Sequence, residues 1–251
     1  MKPIYIIVFL LTSLSINAAD APDVIKAKAD SAFSKRNYGM CVDLYSKLAK
    51  QGESAPVYYN LGCSYYRLDD IPHSLLWLER ASRLDPSDDD IRFNLDMVRS
   101  KTIDRITPQH EMFFISAWQS LYRQMSVTEW AYAAIGTFIL TLILIAVYLL
   151  CNNIVLRKTG FFGAILSLLL CILFNLLAYS QRSYFIHHTA GIIMEPAVTV
   201  KSTPEESGTD LFVIHEGTHV EIEDDTMRDW AEVSIADGKV GWIQKKVYEK
   251  I

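Results

Sequence analysis

The strongest constraint in this 251-residue chain is a pair of long uncharged runs near its middle, residues 130–156 and 159–181. Neither run contains Asp, Glu, Lys, Arg or His. A helix needs about 20 mainly apolar residues to cross a bilayer, and each run is long enough. Two buried core helices of a soluble domain would be the alternative. The short break between the runs favours a transmembrane hairpin.

The break between the two runs and the N-terminal residues predict how the chain lies in a membrane. The break at 152–158 contains Arg157 and Lys158 and no acidic residue, so the positive-inside rule places it in the cytoplasm. Residues 1–19 have one early lysine, an apolar core and a small-residue end, which is typical of a secretory signal peptide. An uncleaved N-terminal anchor is the alternative. Both patterns predict that the two flanking segments are exported.

Charge and motif content exclude several functions. Residues 20–103 carry 12 Lys and Arg against 13 Asp and Glu, and residues 183–251 carry 6 against 13, so neither flank offers a basic face to a nucleic acid. The exported segments contain no nucleotide-binding, zinc or nucleophile–base motif. His215 and His219 lack a third metal ligand in the sequence. We therefore expect a non-enzymatic protein without cofactor or metal.

Two further residue types bear on local structure. Cys41 and Cys63 would lie outside the cytosol, where a disulfide between them is possible, although cysteine also serves as a small buried side chain. Asn175 is the strongly polar residue well inside the second apolar run. We expect it to form a hydrogen bond to the neighbouring helix or to another subunit.

Residues 21–106 contain an internal repeat of 33 residues. The clearer copy has Tyr58, Leu61, Gly62 and Tyr65 at helical spacing, followed by Leu78, Ala81 and Pro86. In the earlier copy, Ala29, Ala32, Cys41 and Tyr45 correspond to Gly62, Tyr65, Ser74 and Leu78. The pattern resembles the tetratricopeptide repeat, an all-α solenoid of helix pairs. A further helix starting near Asp89 is expected to cap this array of about two repeats.

The resemblance implies a concave peptide-binding surface on the first helix of each pair. The positions that would face a partner are Lys26, Asp30, Phe33, Tyr59, Cys63, Tyr66 and Arg67. Alternatively, the aromatic members of this set pack neighbouring helices together.

The approach segment, residues 107–129, joins this array to the membrane. Its large apolar residues at 114, 118, 121, 122 and 125 predict a helix with one apolar face, lying on the bilayer surface or packed under the repeats. Ser126 and Glu129 have the spacing of a capping box, which predicts where the first transmembrane helix starts.

Residues 190–251 read as five or six short strands separated by Gly and Pro. Asp237-Gly238 is a hairpin turn, and Gly241-Trp242 follows it. The pattern resembles the bacterial Src-homology-3-like (SH3b) domain, a small all-β barrel. We expect Trp230 to lie in the core, whereas Trp242 either fills the core or stacks on a partner.

The complete arrangement resembles BatE-like proteins of the Bacteroides aerotolerance (Bat) operon group. That resemblance rests on the 62–86 and 237–243 motifs and on the order of the segments. It implies a periplasmic adaptor in the bacterial inner membrane, with von Willebrand A-domain Bat membrane proteins as partners. A peptidoglycan sensor that uses the barrel is the alternative function.

Overall fold

The computed structural model describes residues 21–106, 113–187 and 189–251, without the side chains of 184–187. The predicted signal peptide and residues 107–112 of the approach segment lie outside the described residues. The described helices are α1 (Pro22–Ser34), α2 (Tyr38–Ala49), α3 (Ala55–Arg67), α4 (Ile71–Leu84), α5 (Asp89–Arg99), α6 (Phe113–Tyr122), α7 (Val127–Leu150) and α8 (Ile154–His187). The strands are β1 (Ala190–Ile193), β2 (Ala197–Lys201), β3 (Asp210–His215), β4 (His219–Asp224), β5 (Trp230–Ser234), β6 (Val240–Gln244) and β7 (Tyr248–Lys250).

Helices α1 to α4 form two antiparallel pairs that repeat the same turn at a spacing of 33 residues. Arg36 and Asp69 both adopt a left-handed backbone, with φ of 60° and 62°. The next residue in each turn, Asn37 or Asp70, then caps the following helix with its side chain. Both pairs turn in the same way because each has a left-handed residue followed by a short polar residue that caps the next helix.

The contact inside each helix pair is also repeated. Ser74 Oγ donates a hydrogen bond to the Gly62 carbonyl at 2.9 Å, and Cys41 Sγ lies 3.7 Å from the Ala29 carbonyl oxygen. A Cβ atom on Gly62 would lie 2.8 Å from Leu78 Cγ, so this crossing has no room for a larger residue. Cys41 and Cys63 are free thiols, and burial raises the pKa of both.

Helix α5 follows the second pair and packs against α4. Asp88 caps its start by accepting hydrogen bonds from the Asp90 and Ile91 amides. Asp89 and Asp90 in the first turn complement the helix dipole. The opposite face of α5 is solvated, and Phe93 there is 70% exposed.

Helices α7 and α8 are both long and apolar enough to cross a membrane. The predicted capping box is confirmed, because Ser126 and Glu129 exchange side-chain and backbone hydrogen bonds at the start of α7. Ser167 Oγ donates to the Thr137 carbonyl at 2.9 Å and links the two helices. Asn175, expected to bond to the neighbouring helix or to another subunit, donates its amide to the Cys171 carbonyl one turn earlier in the same helix.

Helix α6 lies against the C-terminal part of α8. Tyr122 is buried beside Trp130 and Leu177, and the Trp130 indole donates to the Tyr122 carbonyl at 2.9 Å. Helix α6 also leaves a row of large apolar residues exposed, namely Phe113, Phe114, Ile115 and Trp118.

The seven strands form one antiparallel sheet in the order β3-β2-β6-β5-β4-β1-β7. Its alternating side chains enclose a core that includes Val200, Ile214, Val233 and Ile243. Irregularities in register near Lys201 and Asp224 interrupt the ladders.

The closed barrel expected from the sequence is not found. Within residues 189–251, β3 and β7 lie at the two edges of the sheet, and their edges are not joined. Only one residue pair, Lys201 with Trp242, joins β2 to β6, because β2 pairs mainly with β3. The sheet therefore has an open order, and the three-residue strand β7 was not anticipated.

The helical array and the sheet share a hydrophobic core. Leu75 and Leu78 of α4 and Val98 of α5 pack in one cluster with Ile192 of β1. The same interface holds Gly217, at φ +80°, where a Cβ atom would lie 2.9 Å from the Thr102 side chain. The two parts of the chain that flank the apolar helices thus form a single packed body.

A partly buried polar cluster fixes the same interface. Asp104 accepts hydrogen bonds from the His215 amide and the Thr218 hydroxyl, both at 2.7 Å, and its other oxygen lies 2.8 Å from His215 Nδ1. Burial raises the pKa of the Asp104 carboxyl, but these hydrogen bonds outweigh burial and hold the pKa below its usual range.

Candidate functional site

A groove of about 460 Å³ lies where α1, α3 and α5 meet. Alternate helices of the array contribute to it because antiparallel helix pairs place every other helix on the same side. Its lining residues are Phe33, Tyr59, Asn60, Cys63, Tyr66, Arg67, Leu78, Asn94, Met97 and Val98. Five of these, Phe33, Tyr59, Cys63, Tyr66 and Arg67, belong to the surface predicted from the sequence.

The wall of the groove combines aromatic surface with polar groups. Tyr59, Cys63 and Tyr66 are half-buried, and Arg67 is exposed at the end of α3. The Tyr59 hydroxyl accepts a hydrogen bond from Asn94 Nδ2 at 3.0 Å, which ties α3 to α5. Burial, together with the neighbouring Cys63, raises the pKa of Tyr59 to about 12, so its hydroxyl stays protonated at neutral pH.

Phe33 and Tyr66 occupy equivalent positions in the two repeats, 33 residues apart. Both rings are partly buried, and Phe33 also stacks edge-on against Tyr38, with ring centroids 5.5 Å apart. Each ring therefore packs part of its surface within the array and offers the remainder to the groove. The two interpretations of these aromatics, packing and partner contact, are both compatible with this arrangement.

Lys26 and Asp30 do not line the groove. Lys26 Nζ and Asp30 Oδ2 pair with each other at 3.1 Å on α1. Asp30 also accepts a hydrogen bond from the Tyr45 hydroxyl of α2 at 2.5 Å, and this bond lowers the pKa of Asp30. Asp30 thus contributes to the packing of α1 on α2, and Lys26 pairs with it on the surface of α1.

Tyr45→Phe should test this structural role. Loss of the hydroxyl removes the hydrogen bond to Asp30 and should reduce the stability of the first helix pair by about 1 kcal/mol. Burial and the same carboxylate raise the pKa of Tyr45, so the bond persists across the neutral range. Faster amide exchange in α1 and α2 would report the loss, and exchange unchanged from the wild type would contradict it. Tyr38→Phe is the matched control.

Trp242 lies on the sheet, on the face opposite the core. Gly241 and Ile243 are buried, whereas Trp242 is half-exposed, as strand alternation requires. A Cβ atom on Gly241 would lie 2.5 Å from Val200 Cγ1, so glycine permits the close approach of β2.

Trp230 was expected in the core, and this prediction was wrong. It is half-exposed and shares the outer face with Glu232, since Ala231 and Val233 take the inward positions. Trp230 pairs with Gln244 and Glu232 pairs with Trp242, so the two tryptophans are diagonal neighbours across β5 and β6. The strict alternation of residues 230–235 already indicated this orientation.

The two histidines considered as metal ligands have separate surroundings. His215 contacts Asp104, and His219 faces a cavity between the array and the sheet, where burial lowers the pKa of its imidazole. Within residues 21–106, 113–187 and 189–251, no three His, Cys, Asp or Glu side chains gather in a geometry that could hold a metal ion.

Neither the models of known protein families nor the curated proteins include a match to this chain. Functional assignment therefore depends on the groove, the outer face of the sheet and the two apolar helices.

Proposed function

We propose that this protein is a non-enzymatic, membrane-anchored adaptor whose helical array binds a segment of a partner protein. The observation that carries the proposal is the groove itself. Phe33 and Tyr66 at equivalent repeat positions, together with Tyr59 and Arg67, offer aromatic contacts and one cation to a single occupant. Aromatic and arginine side chains are the types that dominate binding energy in protein interfaces.

The repeat geometry supports a tetratricopeptide-like array, and the sheet serves as a second, SH3-like module. In this proposal α7 and α8 cross the inner membrane, both the array and the sheet lie in the periplasm, and residues 152–158, which include the first turn of α8, lie in the cytoplasm. The apolar length of both helices supports the anchor. Arg157 and Lys158, in the first turns of α8, support the orientation.

The partner segment suited to this groove is short, with an aromatic or aliphatic anchor and a hydrogen-bond acceptor for Arg67. By resemblance to the Bat group, its source would be a von Willebrand A-domain membrane protein in a stress-related complex. A partner in the same membrane meets the adaptor at a similar height above the bilayer.

Tyr66→Ala combined with Arg67→Ala tests the groove. Both side chains project into the groove from α3, and their removal should weaken partner capture by at least about tenfold, the effect of losing one interface hot spot of about 1.4 kcal/mol or more. The measurement is in-cell crosslinking of the full-length chain followed by quantification of the partners recovered.

A matched control replaces an exposed aromatic and an exposed arginine outside the groove, Phe93→Ala with Arg105→Ala. This control should recover the same partners as the wild type. Unchanged recovery with the groove variant would contradict the adaptor proposal.

The orientation is tested separately by cysteine labelling in spheroplasts. An impermeant maleimide should modify Ser100→Cys, which lies on an exposed site of the array, and should leave Cys151 at the membrane turn unmodified. The reverse pattern would contradict the proposed topology while leaving the groove proposal untouched.

The outer face of the sheet favours a second candidate function, recognition of a cell-wall sugar or peptide. Trp230 and Trp242 are half-exposed diagonal neighbours, and such rings can stack on sugar faces or proline. If this function holds, the full-length chain with Trp230→Ala and Trp242→Ala will sediment less with purified sacculi than the wild type. Equal sedimentation would remove this candidate.

A further inference from the structure

A second cavity, of about 630 Å³, lies where the array, the sheet, α6 and α8 meet. Its walls are strongly charged. Four arginines line it: Arg83, Arg92, Arg99 and Arg123. Three carboxylates accompany them: Glu79, Asp96 and Glu221. The charges of the two sets nearly balance, which distinguishes this cavity from a site for a multiply charged anion.

Several of these charges already have partners. Arg99 contacts Glu79 at 2.6 Å and Asp96 at 3.5 Å, and Arg83 donates to the Ile251 carbonyl at 2.8 Å. A ligand that carries both a negative and a positive group would fit among these pairs without leaving a buried charge unbalanced.

Gln181 of α8 lines the same cavity and is the residue that most requires a ligand. Its side chain is 1% exposed, and within the described residues neither its amide nitrogen nor its carbonyl oxygen has a hydrogen-bond partner. Buried polar groups are nearly always satisfied, because leaving one unpaired costs free energy. Both amide atoms lie just beneath the cavity wall, so a polar group bound in the cavity would pair with them after a rotation of the Gln181 side chain.

An aromatic groove of about 540 Å³ lies beside this cavity, between α6 and α8. Gln119 and Tyr122 line both spaces, and the groove is otherwise bounded by Phe114, Ile115 and Trp118 on one side and Tyr179 on the other. The Trp118 indole donates to Ser180 Oγ at 3.3 Å. Trp and Tyr side chains of this kind gather where a bilayer meets water.

We propose that the cavity and the groove together bind a phospholipid with an amino headgroup. The phosphate would lie among the arginines, whose planar guanidinium groups suit phosphate oxygens. The headgroup amine would be held by the carboxylates, the Gln181 amide would meet the phosphate or glycerol oxygens, and the acyl chains would follow the aromatic groove. The site rests on the membrane anchor of the proposed function, because it lies at the end of α8 that adjoins the soluble body.

The test uses the full chain, purified in mild detergent and reconstituted into nanodiscs. Phosphatidylethanolamine and phosphatidylglycerol are added separately, and retained lipid is counted by native mass spectrometry alongside the thermal unfolding midpoint. We expect phosphatidylethanolamine to be retained and to raise the midpoint of the wild type.

Two variants should weaken this retention roughly tenfold, the effect of losing one hydrogen bond to a charged group. Arg99→Gln removes a cation, and Gln181→Leu removes the unpaired amide while filling the same space. Arg182→Gln is the matched control, because Arg182 is the exposed neighbour of Gln181 and does not line the cavity. If Arg99→Gln fails to fold after losing its ion pairs, Gln181→Leu decides the question.

Equal lipid retention by wild type and Gln181→Leu would overturn the site. Inorganic phosphate and ethanolamine, added without acyl chains, would also overturn it if they stabilised the protein as much as the lipid does. Alkaline extraction of membranes checks the anchor independently. A wild-type chain that stays in the membrane but shows no lipid preference would refute the lipid site and leave the adaptor proposal standing.

Discussion

Gly62→Ala should destabilise the helical array by about 2 kcal/mol, although alanine is the better helix former. A Cβ atom at position 62 would lie 2.8 Å from Leu78 Cγ and 3.1 Å from the Leu78 backbone nitrogen. The Leu78 side chain can rotate, but its backbone belongs to the middle of α4 and cannot retreat without breaking the Ser74 hydrogen bond to Gly62. Steric overlap therefore exceeds the gain in helix propensity.

Amide hydrogen exchange of peptides covering α3 and α4 is the appropriate measurement, because it reports the local opening free energy within the full chain. Gly39→Ala is the matched control: Gly39 lies in α2 and has nothing within 4 Å of the new Cβ atom. That variant should be neutral or more stable by up to about 1 kcal/mol. Exchange that slows equally in both variants would show that the crossing of α3 and α4 is not as tight as described.

Asp104→Ala should separate the array from the sheet, with a loss of about 3 kcal/mol at their interface from the hydrogen bonds removed. The substitution leaves the His215 amide, the His215 ring and the Thr218 hydroxyl without their acceptor. Thr218 is buried, so its hydroxyl gains little from water in compensation. Faster exchange in β4 and α4 together would show the separation. Asp43→Ala, an exposed acid on α2, is the control and should leave both elements unchanged.

The same carboxylate predicts an acid dependence. Its folded pKa lies below the ordinary value, so its stabilising contribution is complete above about pH 4 and is lost as the pH falls through the folded pKa. Protection of the interface should therefore be constant near neutrality and decline below about pH 4. Asp104→Asn should lack much of this decline, and a wild-type interface that loosened only on raising the pH would contradict the assignment.

Local patterns predicted most of the individual elements. The 33-residue spacing located both helix pairs, since small residues at 29, 41, 62 and 74 can be recognised from composition and period alone. Ser126 and Glu129 placed the start of α7 correctly. Each of these features depends on residues close together in the chain, where propensity and spacing determine the geometry.

The sequence did not predict what depends on distant contacts. Nothing in residues 71–106 indicates that Leu75 and Asp104 would meet Ile192 and His215, more than 100 residues later. The edge strand β7 also depends on a distant contact, because it forms by pairing with β1. Its three residues are too few to predict a strand from sequence alone.

One wrong prediction, that for Trp230, gave residue type more weight than position, and a second residue, Asn175, also bonds differently from what its type suggested. Trp230 was assigned to the core because tryptophan is large and apolar, whereas its place in the alternation with Glu232 and Ser234 determines its outward orientation. Asn175 was expected to bond to the neighbouring helix or to another subunit because it is polar in an apolar helix, whereas its amide donates to the Cys171 carbonyl one turn away. The groove itself is an intermediate case. The repeat indicated which residues of α1 and α3 share one side of the array, but the contribution of α5 depends on how the helices pack.

The short connections on either side of the apolar helices limit how far the groove can stand from a bilayer. Six residues separate Ile106 from Phe113, and two separate His187 from Ala190, so the longer link spans at most about 25 Å. An anchored chain would hold its binding surface inside a thin layer above the lipid. Partners sharing that layer search two dimensions instead of three, which raises their effective concentration without any added contact. Even a weak fit to the groove could then give a long-lived pairing within one membrane and almost none in free solution.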